Sequence, residues 1–138
     1  MPVGQLSAVG GASGVIYVAG ATASGAVREG AAVALVYTLG QTRVVECSAG
    51  SNAEGFQGFA AATVADGDPV GIVTVRGSVI TPIVEGGGAL STGSPIFLSA
   101  TAGEVTNTPP ATGVVLRLGS GISPTQLNLN SDARVVRP

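Results

Sequence analysis

Apolar residues recur along this chain with the period of β-strands. From Gly30 onward, short β-branched runs are separated by glycine, proline or Asx turns, and no window of helical length keeps a 3.6-residue apolar stripe. The pattern predicts strands at Ala32–Thr38, Thr42–Cys47, Gln57–Thr63, Pro69–Val75, Ser78–Val84, Pro95–Ser99, Glu104–Asn107, Gly113–Leu118, Thr125–Asn130 and Ala133–Val136. We therefore expect an all-β fold, a small β-barrel or β-tulip-like sandwich of short antiparallel strands.

Alternation within these runs indicates which faces are buried. In Gln126–Asn130 the two leucines share one face, and in Val114–Leu118 the first, third and fifth residues do the same. Val70–Val75 is apolar on both sides, which predicts a central strand or one covered by a second subunit.

The first 28 residues differ from the rest of the chain. Gly, Ala, Ser, Thr and Val dominate them, and the one apolar cluster that can form a strand is Gly14–Val18. Such a stretch has too few large side chains for a core of its own, so it should be mobile or lie along a neighbouring surface, and we favour the second. The sequence thus predicts an extended N-terminal arm, residues 1–28, and a β-barrel or β-tulip-like domain, residues 29–138.

A weak internal duplication accompanies the strand pattern. Gly30–Val75 and Gly93–Val136 each open with a glycine and an apolar strand, then pass a turn containing Gly40 or Gly103 into a second strand. A turn-rich stretch and two further strands follow in both. This order predicts two similar half-barrels packed about a pseudo-twofold axis.

Composition limits the core and the partners. Hydrophobic residues make up 45% of the chain but aromatic residues only 4%, so Val, Ile, Leu and Ala must fill the core. Because a buried aromatic ring removes about 150–250 Å² from water, their scarcity predicts modest stability for the isolated domain, with further burial supplied by partners. The six cationic residues are scattered arginines, which argues against nucleic acid as a partner.

The same composition argues against a membrane or secretion. No apolar run approaches the ~20 residues that span a bilayer. The opening residues, Met1–Leu6, carry no positive charge, which is atypical of a secretory signal. We therefore expect synthesis in a cytoplasm.

Two residue types that many enzymes need are missing from this sequence. The chain has no histidine and no lysine, which excludes Ser-His-Asp and Cys-His mechanisms, Schiff-base chemistry and the P-loop. A glycosidase pair remains possible in principle, but the acids lie beside glycine or at strand ends, as solvated turn residues do, and no tryptophan is present to stack a sugar. These acids are Glu29, Glu46, Glu54, Asp66, Asp68, Glu85, Glu104 and Asp132. We predict no enzyme, no catalytic residue, no cofactor and no small-molecule substrate.

Three further features have structural interpretations. Cys47, the single cysteine, follows a strand-like run and is interpreted as a small buried apolar side chain rather than a reactive thiol. Asp66 and Asp68 flank Gly67 in a turn before Pro69, and no further oxygen ligands follow at the spacing of a calcium site. Gly119–Ser123 lacks the G-x-S-x-G spacing of a nucleophile turn and is interpreted as a hairpin loop. No metal site is predicted.

One stretch resembles a known family. Gly87–Pro110 contains a "G-x-x-x-x-L-S" strand, a glycine turn, a Thr-rich strand and a "T-P-P" turn, and it resembles a β-hairpin pattern of tailed-phage virion proteins. Thr112–Leu129 fits the same pattern. The valine strand and glycine of Asp66–Gly77 resemble small capsid decoration, or cement, proteins, so the likeness covers about half the chain.

The resemblance implies a function carried by surfaces. It implies a virion protein that binds the major capsid protein on the outside of an icosahedral phage capsid, as a homotrimer at local threefold positions, with a terminal arm reaching neighbouring subunits. By bridging capsomers, such a protein stabilises the expanded shell. Alternatives are a tail-fibre, head-fibre or baseplate β-module, or a carbohydrate-binding adhesion domain.

Overall fold

A computed structural model describes residues 15–130 and 134–137 and confirms the all-β fold. Its strands are β1 (Val15–Ala23), β2 (Ala32–Thr38), β3 (Gln41–Glu46), β4 (Phe56–Ala60), β5 (Pro69–Val73), β6 (Val79–Ile80), β7 (Ile83–Val84), β8 (Pro95–Leu98), β9 (Glu104–Thr106), β10 (Gly113–Ser123), β11 (Gln126–Leu129) and β12 (Arg134–Arg137). Short 3₁₀ turns lie at Ala53–Gly55 and Glu85–Gly87.

The first five strands close into a barrel in the order β1-β3-β2-β4-β5. Strand β1 closes it by pairing with a strand on each side. Val15–Tyr17 and Thr22 pair antiparallel with β5, and Thr22 and Ala23 also pair in parallel with β3. Strand β1 thus lies in the barrel wall although its residues fall within the predicted arm, and residues 1–14 of that arm lie outside the described residues.

The remaining strands form a curled half-barrel in the order β6-β11-β10-β8-β9-β7, with β12 added along β10. The sequence pattern predicts one strand over Ser78–Val84, and this prediction is wrong. Strands β6 and β7 are separated at Thr81 and Pro82, because proline has no N–H to continue a ladder. Gly119–Ser123, interpreted above as a loop, belongs to β10, and the turn lies at Pro124 and Thr125.

Barrel and half-barrel repeat the same strand pairings, which confirms the predicted duplication. Strands β8, β9, β10 and β11 pair as β2, β3, β4 and β5 do, while β6 and β7 together take the place of β1. Ala32 pairs with Phe59 as Pro95 pairs with Ser120. Residues 43–60 of the barrel correspond to residues 104–121 of the half-barrel without a gap.

Two glycines mark the same β-bulge in both repeats. The register shifts beside Gly58 in the β2–β4 pair and beside Gly119 in the β8–β10 pair. A Cβ atom at Gly58 would overlap the carbonyl oxygen of Val73, and one at Gly119 would overlap that of Asn128. Glycine is therefore required at both bulges by the close approach of the next strand.

One continuous core joins the repeats. Inside the barrel, alanine and valine side chains pack with Ile72, whereas the half-barrel encloses the larger residues Ile96, Leu98, Leu118 and Leu127. The outer face of the barrel also belongs to this second core, through Ala32, Ala34, Cys47, Ala53 and Phe59. The expectation that Val, Ile, Leu and Ala fill the core is confirmed, and the ring of Phe59 is fully buried among them.

Candidate docking surfaces

One turn of the half-barrel makes most of the backbone hydrogen bonds across the junction between the repeats, and the N–H of Val114 adds one to the Ala49 carbonyl at 2.9 Å. This β8–β9 turn, Ser99–Gly103, lies against the outer face of the barrel. The N–H of Ala32 donates to the Gly103 carbonyl at 3.0 Å, the N–H of Gly103 donates to the Cys47 carbonyl at 2.8 Å, and the N–H of Ala49 donates to the Ser99 carbonyl at 2.8 Å. These bonds continue the backbone ladder from one repeat into the other.

Arg28 adds a charged contact to the same junction. Its guanidinium is bidentate to Glu46, with Nη2 to Oε1 at 2.8 Å and Nε to Oε2 at 3.1 Å, and Nη2 also donates to the Ala102 carbonyl at 3.0 Å. Glu104 lies 3.5 Å from Nη1. The hydrogen bonds to Glu46 raise the pKa of Arg28, and both carboxylates add to this by their charge. A Cβ at Gly103 would press on Glu46 and Arg28, so this turn also requires glycine.

The equivalent turn of the barrel is exposed. Strands β2 and β3 end in a two-residue turn at Leu39 and Gly40, between the paired residues Thr38 and Gln41. We call Tyr37–Gln41 the hairpin tip. Leu39 is 97% exposed and Tyr37 is 75% exposed. In contrast, Ser99 at the junction is fully buried.

The backbone of the hairpin tip is strained. Leu39 has φ 52° and Gly40 has φ 77°, as a type I′ turn requires. A bulky side chain is disfavoured in this left-handed region, where Asn-Gly is the usual pair. Folding alone gives no reason for a leucine that is both strained and exposed, and such positions concentrate at functional sites.

The half-barrel has an uncovered counterpart of the junction face. By the shared pairing, Ala32, Cys47 and Ala49 of the barrel correspond to residues 95, 108 and 110 of the half-barrel. The barrel residues are at most 2% exposed, and the β8–β9 turn together with the start of β10 contacts them. Pro95 and Thr108 are exposed, and Phe97 and Pro110 are half-buried. We call Pro95, Phe97, Thr108 and Pro110 the open face.

Contacts between the repeats are therefore not reciprocal. In a twofold arrangement, the hairpin tip would cover the open face just as the β8–β9 turn covers the barrel. Because the tip and the open face are both exposed, the repeats are joined head to tail, and the predicted pseudo-twofold packing is wrong.

Cys47 lies at the junction, where burial raises the pKa of its thiol to about 12 and the charge of Glu46 adds to the shift. At neutral pH the thiol is protonated and shielded, which agrees with its interpretation as a small apolar side chain. Its counterpart Thr108 is exposed. The same position is thus core in one repeat and surface in the other.

The aspartate turn has a structural role. Asp66 accepts a hydrogen bond from the N–H of Gly25 at 2.8 Å and lies 3.3 Å from Arg43. Gly67 adopts φ 88° and Pro69 begins β5, as the sequence predicts. Among residues 15–130 and 134–137, no three potential metal-ligating side chains are grouped together.

Two clefts lie in the surface of the described residues. One of about 330 Å³ lies beside β2 and is lined by the 49–55 loop, with Glu54 as its one carboxylate. A second, of about 290 Å³, is lined by Phe56, Gln57, Thr74, Arg76 and Leu129. The paired acids that a glycosidase needs do not meet in either cleft.

No protein-family model, curated protein or solved structure matches this chain. In the part of the chain that the structure describes, no helix has the length and hydropathy needed to cross a membrane. The hairpin tip is not predicted from the sequence because exposure is not visible there, although Leu-Gly at a turn that favours Asn-Gly is a usable signal.

Proposed function

We propose that this chain is a virion structural protein that binds the outside of an icosahedral phage capsid and stabilises the expanded shell. The observation that carries the proposal is the tandem of two like repeats joined by one core. Each repeat presents its own outer surface, and the core that they share holds the two surfaces at a fixed separation. That arrangement suits neighbouring copies of a major capsid protein.

Bridging follows from this geometry. Once one repeat has docked, the second docks as an intramolecular step at high effective concentration. The chain then binds only lattices whose spacing fits, and its binding free energy adds to the stability of that lattice. We propose a homotrimer at local threefold positions of the capsid surface, which needs no catalysis, cofactor or nucleic acid.

The resemblance and the composition give further support. The hairpin that resembles phage virion proteins forms β8, β9 and the turn between them, the turn that fixes one repeat against the other. A net charge of -2 and small side chains suit dense packing of many copies on a shell.

Shell binding tests the proposal directly. Purified protein is mixed with expanded shells and with unexpanded procapsids of the phage that encodes it, and bound protein is measured by co-sedimentation. We expect saturable binding to expanded shells, little to procapsids, and a melting temperature for the decorated shell several degrees higher. Absence of binding to both shells rejects the proposal.

Two other outcomes point to the alternatives. Elongated trimers located on the tail or on head fibres in micrographs of virions favour a fibre or baseplate module. Sugar-dependent retention on a glycan array favours a carbohydrate-binding adhesion domain. Either result, without shell binding, replaces the decoration proposal.

A further inference from the structure

We propose that the hairpin tip binds the open face of a second copy of this chain, repeating between molecules the head-to-tail junction that exists within one. The proposal is independent of capsid binding. It follows from the duplication, because each repeat carries one turn and one receiving face, and only one turn and one face are used inside the chain.

The template is the intramolecular junction. There, the β8–β9 turn hydrogen-bonds to Ala32, Cys47 and Ala49, which are 2% exposed or less. The hairpin tip is the same turn of the other repeat, and it extends further, because eight residues separate Leu35 from Val44 whereas six separate their counterparts Leu98 and Val105. Its turn is tighter, but the strands that carry it are longer, so the hairpin reaches further across a receiving face.

The two free surfaces match chemically. The tip offers Leu39 and Tyr37, two large exposed hydrophobic residues. The open face offers Pro95, Phe97 and Pro110, which are apolar. Arg117 pairs with Phe97 across β8 and β10 and donates to the Ser120 hydroxyl at 3.1 Å, so this charge at the border of the face already has a polar partner. Leucine and tyrosine packed on proline and phenylalanine rings bury apolar area.

The intermolecular contact differs from its template in two respects. In the barrel, the N–H of Ala32 binds the incoming turn. Its counterpart, Pro95, has no N–H, so the ladder cannot continue at that point. Arg28, which binds the turn by charge, is replaced by Ser91. The contact between copies is therefore apolar and reversible, whereas the internal junction is permanent.

Head-to-tail contacts leave a free tip at one end and a free face at the other, so they form rings or open chains rather than stopping at dimers. Sedimentation equilibrium of the full chain over a wide concentration range tests this. We expect concentration-dependent assembly beyond the dimer. Leu39→Asp should weaken it by about 10- to 100-fold, since a buried leucine is replaced by a charge.

The matched control is Ile122→Asp, which places the same charge on another exposed apolar residue, 44% exposed and outside both surfaces. Assembly by this variant should equal that of the wild type, and both variants should melt as the wild type does. A wild-type chain that stays monomeric at its highest soluble concentration overturns the proposal. An equal loss of assembly in Leu39→Asp and Ile122→Asp also overturns the proposal.

Cross-linking separates head-to-tail from tip-to-tip contact. Leu39→Cys and Thr108→Cys are purified separately, mixed and treated with a short bismaleimide, with buried Cys47 giving a silent background. We expect dimers in the mixture and not with either variant alone. Dimers of Leu39→Cys alone, or equal yield when Ile122→Cys replaces Leu39→Cys, overturn the proposal.

Discussion

The barrel and the half-barrel have the same strand pairings, yet equivalent positions in them differ in exposure. Cys47 and Ala32 are core residues, while Thr108 and Pro95 at the same places are on the surface. Barrel topology fixes which side of a strand faces outward, and the neighbouring repeat decides whether that outward side is covered. The residue type at each position agrees with this. Small residues occur in the barrel where the β8–β9 turn docks, and prolines occur at the equivalent positions of the half-barrel, which no turn covers.

The barrel interior differs from that of the half-barrel in size. Alanine and valine dominate the first, and leucine and isoleucine the second. The barrel makes up for its small interior by burying an outer face, with Phe59 as the largest side chain and Phe56 edge-on to it at 5.7 Å. The repeats therefore share their stability, and we expect them to unfold as one unit.

The largest expected effect tests whether the two β-bulges are equivalent, and it comes from replacing the glycine in each. Gly58→Ala and Gly119→Ala should each lower the free energy of unfolding by about 3 kcal/mol or more, because the new Cβ meets a backbone carbonyl that cannot move alone. Urea denaturation measures the loss. Gly50→Ala is the control, since open space surrounds that residue. A large loss at one bulge and none at the other would contradict their equivalence.

The next largest effect is on the pH dependence of stability, and it tests the difference between buried Cys47 and its exposed counterpart Thr108. The unfolded thiol ionises with its ordinary pKa of 9.0, whereas the folded thiol, with a pKa of about 12, stays protonated to higher pH. The unfolded state therefore loses a proton first as pH rises, and the free energy of unfolding falls from about pH 9 upward, by about 1 kcal/mol at pH 10. Cys47→Ala should lack this part of the alkaline loss in urea titrations.

The control for this prediction places a cysteine on the surface of the other repeat. In a Cys47→Ala, Thr108→Cys double variant, the thiol should react readily with maleimide and leave the pH dependence of stability flat in the same range. Rapid labelling of native Cys47 in the wild type would show that the junction opens.

The smallest expected effect concerns the hairpin tip. Leu39→Asn should raise the stability of the dilute monomer by about 1 kcal/mol, because asparagine tolerates φ 52° better than leucine does. Leu39→Ala is the control, since alanine keeps the backbone strain and should bring no such gain. Thermal unfolding at low concentration measures both. A destabilised Leu39→Asn variant would mean that Leu39 supports the fold.

Much of the fold is visible in the sequence because strand alternation and turn residues are local signals. Ala32–Thr38 forms β2 at both predicted ends, Pro69 begins β5, and Leu127 and Leu129 are buried on one face. For Val70–Val75, predicted to be a central strand or one covered by a second subunit, the structure has a central strand, because β5 (Pro69–Val73) lies between β4 and β1. The glycine-turn order also revealed the duplication.

The rest depends on contacts between distant residues. Closure of the barrel through a parallel β1–β3 pair has no local signal, and neither has the turn of one repeat covering the other. Phe59 alternates as any strand residue does, so its place between the repeats required the three-dimensional arrangement. The two surfaces that carry the proposals were hidden for the same reason.

Closure by β1 also has a consequence for synthesis. All strands of the barrel precede β6 in the chain, so they leave the ribosome before the half-barrel that shares their core is complete. Until β8 and β9 emerge, the face around Ala32 and Phe59 is uncovered on a nascent chain. A pause in translation at that stage would leave this apolar face available for chaperones to bind. The order of the two repeats therefore affects how long the nascent chain depends on them.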